Sequence, residues 1–224
     1  MSTTLVESHS KQPSNSYVIA IAGSSGAGKT TVVKLVTTLL EDAVSFYFDD
    51  YGEYPENVTK WLEQGANLKQ WSSPRLVENL GALKSGKSIT LSSDLAHSHR
   101  VAIGDCEFKG VLEPAKYIIV DEPFGRERPG LDGLVDYVVG LDTPLDLALA
   151  RKLLRDIEYH FKGIYSGEIA KYLEGVLRDY QFGTRELYLV AYQVVLNHSD
   201  MIIDGTKSAE EIAVEIVNRV REQW

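Results

Sequence analysis

The chain has 224 residues, and 23 Lys and Arg against 32 Asp and Glu leave a formal charge of −9. A globular domain commonly takes ~100–200 residues, so this length fits one decorated domain with a sizeable core. The acidic balance argues against a nucleic-acid backbone or an anionic membrane as partner, and 44% apolar with 25% charged residues excludes disordered and fibrous classes.

Residues 1–16 are polar and rich in Ser and Thr, without the hydrophobic stretch of a signal peptide, and read as a disordered tail. Cys106 is the one cysteine, so no internal disulfide forms and no C-x-x-C pair is available for zinc. No apolar run approaches the roughly 18 residues of a membrane span. These features together predict a cytoplasmic protein.

From Tyr17 onward, short apolar runs alternate with helical spacing, the pattern of a parallel α/β sheet. Tyr17–Ala22 is too continuously apolar for a one-sided strand and predicts a buried central one. Thr30–Leu40 follows with Val32, Val33, Val36, Leu39 and Leu40 on a helical face. Further strands are predicted at Ser45–Phe48, Tyr117–Val120, Tyr137–Leu141 and Met201–Ile203. The segment 52–109 breaks the pattern, with two tryptophans and short β pieces at Ser88–Leu91 and Val101–Phe108, and reads as an insertion over the sheet edge. Thr143 is a suitable N-cap before Pro144 for a helix reaching about Phe161. Ile169, Tyr172, Leu173, Val176, Leu177 and Tyr180 form a long apolar stripe, and Ser208 with Glu211 make a capping box for the last helix.

Between the first strand and helix lies Gly23-Ser24-Ser25-Gly26-Ala27-Gly28-Lys29-Thr30, followed by Thr31, which fits G-x-x-x-x-G-K-[ST] at every fixed position. Its glycines allow backbone N–H groups to turn around phosphates, and the helix N-terminus adds a positive end. Lys29 then reaches the β- and γ-phosphates, and the Thr30 hydroxyl binds Mg²⁺. This loop predicts a nucleoside-triphosphate site. Asp49 and Asp50 follow the second strand, and Asp121 and Glu122 the third. Ligands of a doubly wound sheet sit outside the carboxyl ends of its strands, so both acidic pairs should face the same crevice.

The phosphate loop, the Asp-x-aromatic of Asp49-Asp50-Tyr51 and the Arg-x-x-x-Arg-Asp of Arg151 to Asp156 together resemble the uridine kinase/phosphoribulokinase group of P-loop kinases. The resemblance implies an α/β P-loop NTPase fold with strand order 2-3-1-4-5, a single kinase domain over 17–224 and a helical lid over 144–180. It implies ATP as co-substrate with Mg²⁺, and a hydroxyl of a nucleoside, sugar or related alcohol as acceptor. Asp49 is then the base, Glu122 (or its neighbour Asp121) supports the metal, and Arg151 and Arg155 cover the phosphates. Phosphoryl transfer needs these residue types in any case: cations to neutralise the moving group, and a carboxylate at the acceptor hydroxyl.

Candidate acceptor contacts are Tyr51, His99, Arg100 and Arg126. Asp94 through Arg100 is similar to a uridine-kinase hairpin in its Asp-to-Arg spacing, but Ser93 stands where that hairpin has tyrosine. The partner is a small molecule, with a homo-oligomer possible. Two rival classes remain: a GTPase switch or metallochaperone, for which Asn197-His198-Ser199-Asp200 is a faint guanine-reading loop, and a non-catalytic nucleotide-binding module.

Overall fold

The computed structural model describes residues 16–161 and 167–224. Strand β1 (Tyr17–Ala22) runs into the glycine-rich loop and helix α1 (Lys29–Leu39), and β2 (Ala43–Tyr47) ends in a 3₁₀ turn, Phe48–Asp50. The side region holds α2 (Val58–Glu63), α3 (Pro74–Lys84), β3 (Ile89–Thr90), α4 (Asp94–Ala102) and β4 (Val111–Leu112). Next come β5 (Tyr117–Asp121), β6 (Tyr137–Asp142), α5 (Leu145–Phe161) and α6 (Gly167–Asp179). A π-turn at Tyr180–Thr184 leads into α7 (Arg185–His198), then β7 (Met201–Asp204) and α8 (Ala209–Gln223).

Five strands form one parallel sheet in the order β2-β5-β1-β6-β7. With only the core strands counted, this is the expected order 2-3-1-4-5, because β3 and β4 pair with each other in a separate antiparallel hairpin. Alternation along β1 divides the core. Val18, Ala20 and Ala22 face a layer that includes Leu76, Leu80 and Leu83 of α3 and Val195 of α7. Ile19 and Ile21 face Val32, Val33 and Val36 of α1 and Ile212 and Ile216 of α8. Both faces of the sheet are thus covered, which is why its strands read as unbroken apolar runs. No helix among the described residues is long and apolar enough to cross a membrane.

Several expectations change. The tail assignment falls on residues 1–15, outside the described residues, whereas Ser16 is already buried and its N–H donates to Lys84 O. Likewise residues 162–166 of the expected lid lie outside them. Much of the stretch expected as a hairpin around Asp94–Phe108 is the helix α4. Ser93 caps it by accepting from Ala96 N–H, Asp94 favours its first turn, and Gly104 at φ +80° ends it. Thr143 does not cap α5; its hydroxyl donates to Ala27 O and ties the helix approach to the phosphate loop. α7 adds a helix to those the sequence spacing predicts.

Candidate phosphoryl-transfer site

The carboxyl ends of β1, β2 and β5 open into a cleft of about 760 Å³ whose walls include Ser25 through Thr31, Asp49, His99, Asp121, Arg151, Arg155 and Lys207. The loop geometry requires glycine at two points. Gly26 lies at φ +82°, where a Cβ would strike Ala148 O at 2.0 Å, and Gly28 caps α1 at φ +101°. Gly23 N–H donates to Pro123 O and Ala27 N–H to Ser24 O, which leaves the remaining loop amides and the α1 N-terminus for an anion. Ser24 Oγ is buried there without a hydrogen-bond partner among the described residues.

Lys29 Nζ donates to Ser24 O at 3.2 Å and stands 3.7 Å from Asp121 Oδ1. The Thr30 hydroxyl donates to Asp121 Oδ2 at 2.6 Å. Register explains this meeting: Asp121 is opposite Ile21 of β1, at the strand end from which the loop departs. Burial pushes the Asp121 carboxyl above the usual carboxylate range, with Asp49 adding to the rise and Lys29 and Thr30 opposing it. A hydroxyl and a carboxylate side by side on the cleft wall suit Mg²⁺, which takes few protein oxygens and completes its shell with phosphate and water. Thr30 and Asp121 are the residues that fit this ion. No cluster of three or more His, Cys, Asp or Glu suited to a metal occurs among the described residues.

Also lining the cleft, Asp49 sits in the turn after β2 with its side chain about half exposed, and Tyr54 Oη donates to Asp49 Oδ1 at 2.8 Å. Burial raises the Tyr54 phenol well above its usual range, and the charge of Asp49 adds to the rise. The phenol thus stays a donor to Asp49. From α5, Arg151 Nη1 donates to Gly205 O at 2.9 Å, and Arg155 reaches Asp156 at 3.3 Å with most of its side chain in solvent. Asp49, Lys29, Thr30, Arg151, Arg155 and His99 therefore share one cleft, as their types demanded.

Four assigned residues do not join them. Glu122, expected at the metal, is fully buried; both its oxygens accept from Arg128 at 2.9 Å, and Oε1 also accepts from Phe124 N–H. Adjacent side chains at a strand end point apart, so Asp121 takes the cleft and Glu122 the core. Tyr51 is buried on Phe46, and its hydroxyl accepts from Asn79. Arg100 is buried between the rings of Tyr47 and Phe108 and pairs with Asp50 and Asp105. Arg126 pairs with Asp200 and donates to Asp136 O, at the end of the sheet opposite the phosphate loop. The same pair, with Val138 N–H donating to Asp200, places the faint guanine-reading loop at that far end. Trp71 is core packing: it is buried, and its indole N–H donates to Glu53 O. Tyr54 was missed as a support of Asp49, since nothing in its local sequence signals the contact.

No family model matches the chain. It is 27% identical over 211 residues to a uridine kinase of Macrococcus caseolyticus, covering 91% of this chain and 95% of that one. A uridine kinase of Staphylococcus aureus is 27% identical over 206 residues, covering 89% and 92% respectively. A solved structure of a possible uridine kinase from Bacillus stearothermophilus aligns over 87% of this chain and 92% of that one, at 18% identity and a TM-score of 0.47. The similarity to the curated uridine kinases thus extends along nearly the whole chain, as the motifs had suggested.

Two substitutions separate the adjacent acids. A carboxyl whose proton affinity rises on folding loses stability as pH climbs from its unfolded value, ~3.9, through its folded one, so at neutral pH ionised Asp121 costs stability. Asp121→Asn should raise the melting temperature of the nucleotide-free protein, by about 2–4 °C per kcal/mol recovered, while removing Mg²⁺-dependent turnover; a lower melting temperature would contradict this. Glu122→Gln should instead destabilise by about 3–5 kcal/mol in urea unfolding, because it leaves Arg128 buried without its anion. The Mg²⁺ concentration for half-maximal turnover should stay unchanged, and a large increase would return Glu122 to the metal.

Proposed function

We propose that this chain transfers the γ-phosphoryl group of ATP to a hydroxyl of a small metabolite, in the manner of the uridine kinases to which it is similar. The observation that carries the reading is the placement of the Asp49 carboxylate in the same cleft as Lys29, Thr30 and the phosphate loop. A nucleotide switch needs no carboxylate facing an empty acceptor space, and a non-catalytic module needs neither Lys29 nor Asp49.

In this mechanism the backbone N–H groups of Ser24 through Gly26 and of Gly28 and Lys29 cradle the phosphates, those of Gly23 and Ala27 already donating to Pro123 O and Ser24 O, and Lys29 neutralises charge on the β- and γ-oxygens. Thr30 and Asp121 would hold Mg²⁺, which supplies further neutralisation of the phosphate oxygens when bound. Arg151 and Arg155 reach the same cleft from α5 and add positive charge around the group as it moves. Asp49 orients the acceptor hydroxyl and takes its proton. The acceptor oxygen bonds to the γ-phosphorus, the bond to the bridging oxygen breaks, and its electron pair leaves with ADP. Asp49, half exposed, is open to an incoming alcohol.

Uridine heads the acceptor panel because the curated relatives bear its name; other nucleosides, sugars and related alcohols follow. The test is mass spectrometry of that panel with Mg·ATP, looking for a product heavier by one phosphoryl group. Asp49→Asn should leave ATP affinity within about twofold and lower transfer by roughly 100-fold or more, the range of a lost general base. Unaltered transfer would remove Asp49 from the reaction.

A further inference from the structure

Asp50 has no part in the steps above, yet it is a wholly enclosed acid next to the cleft residue Asp49. Its side chain is fully buried; Oδ2 accepts from Arg100 Nε at 2.8 Å and pairs with Nη2 at 2.7 Å, and Oδ1 lies 2.6 Å from His99 Nδ1. A carboxylate paired with arginine only accepts hydrogen bonds, so His99 Nδ1 carries the proton and donates. The ring is also fixed by an edge-on contact with Tyr47, centroids 5.5 Å apart. Nε2 therefore faces outward, on the cleft wall and 4.0 Å from Asp49 Oδ2. That gap is too long for a direct hydrogen bond, but a single water between the two reaches both at ordinary lengths.

The geometry points to His99 as a proton-relay residue, which Asp50 holds with Nε2 turned to the cleft so that it receives the proton Asp49 takes from the acceptor. The inference rests on the transferase reading of the cleft. Asp49 accepts the acceptor proton as the oxygen bonds to the γ-phosphorus and ADP leaves. The proton then passes through the bridging water to Nε2, which restores the Asp49 carboxylate and gives an imidazolium beside Asp50. His99 is mostly enclosed but still touches the cleft, from which the proton returns to solvent when the products depart. The arrangement matches a recurring rule of base catalysis: a proton-accepting imidazole oriented through its other nitrogen by a buried carboxylate.

His99→Asn discriminates, because the Asn amide can still donate to Asp50 but nothing replaces Nε2. ADP release would be followed with Mg·ATP, using water as the acceptor and any panel member that the wild-type protein phosphorylates. We expect kcat to fall at least about tenfold, with KM for Mg·ATP and the melting temperature close to wild type. Added imidazole should restore turnover to His99→Ala but not to Asp49→Asn. Turnover of His99→Asn near wild type, or a loss accompanied by a lower melting temperature and no rescue by imidazole, would overturn the relay. If His99→Asn is silent while Asp49→Asn is inactive, the relay alone falls. No phosphorylated product from any panel member with the wild-type protein, ADP released to water alone included, would bring down the transferase reading, and the relay with it.

Discussion

The site is organised by one buried carboxylate, Asp121, held between the Thr30 hydroxyl and the Lys29 ammonium where β5 meets the phosphate loop. Burial disfavours its charge, so the position is tolerable only with cations close by. Lys29 supplies one on the protein's side, and a divalent ion carried by the nucleotide would supply another. The polarity of the cleft follows. The cleft is lined both by the acids Asp121 and Asp49 and by the cations Lys29, Arg151 and Arg155, so a bound polyphosphate would meet the cations and turn its own metal ion toward the acids.

Asp49 is useful only if its turn stays in place, and two buried ion pairs flank that turn. On one side Asp50 is bound to Arg100; on the other, Arg128 is bound to Glu122 and lies over the ring of Phe48, 4.2 Å from its centroid. Trp71 and Phe124 complete the aromatic surroundings of Arg128. Burying such pairs repays their desolvation only with good geometry and further hydrogen bonds, so they are poor sources of net stability. Their effect here is positional: Phe48 and Asp50 are clamped, and Asp49 between them is presented to the cleft.

Much of this was legible in the sequence because the signals were local. The five core strands announce themselves as apolar runs, since both faces of the sheet are covered, and the phosphate loop is contiguous. The side region was harder. α4 looks polar because its inward positions are Ala96 and the buried Arg100, one turn apart, and a buried arginine cannot be told from an exposed one until Asp50 and Asp105 close around it. α7 did carry a readable stripe, Tyr188, Ala191 and Val195, which passed unassigned. The choice between Asp121 and Glu122 turned on Arg128, whose return to Glu122 depends on the path of a loop and not on any spacing. Arg126 was misplaced for the same reason: its loop carries it to Asp200 at the far end of the sheet.

The most direct measurement is a crystal structure with Mg²⁺ and a non-hydrolysable ATP analogue. The account predicts a terminal phosphate resting on Lys29, the metal ion against Thr30 and Asp121, and the Asp49 carboxylate facing that phosphate across a space the size of one hydroxyl. A terminal phosphate turned from Asp49, or an ion seated on Glu122, would contradict it.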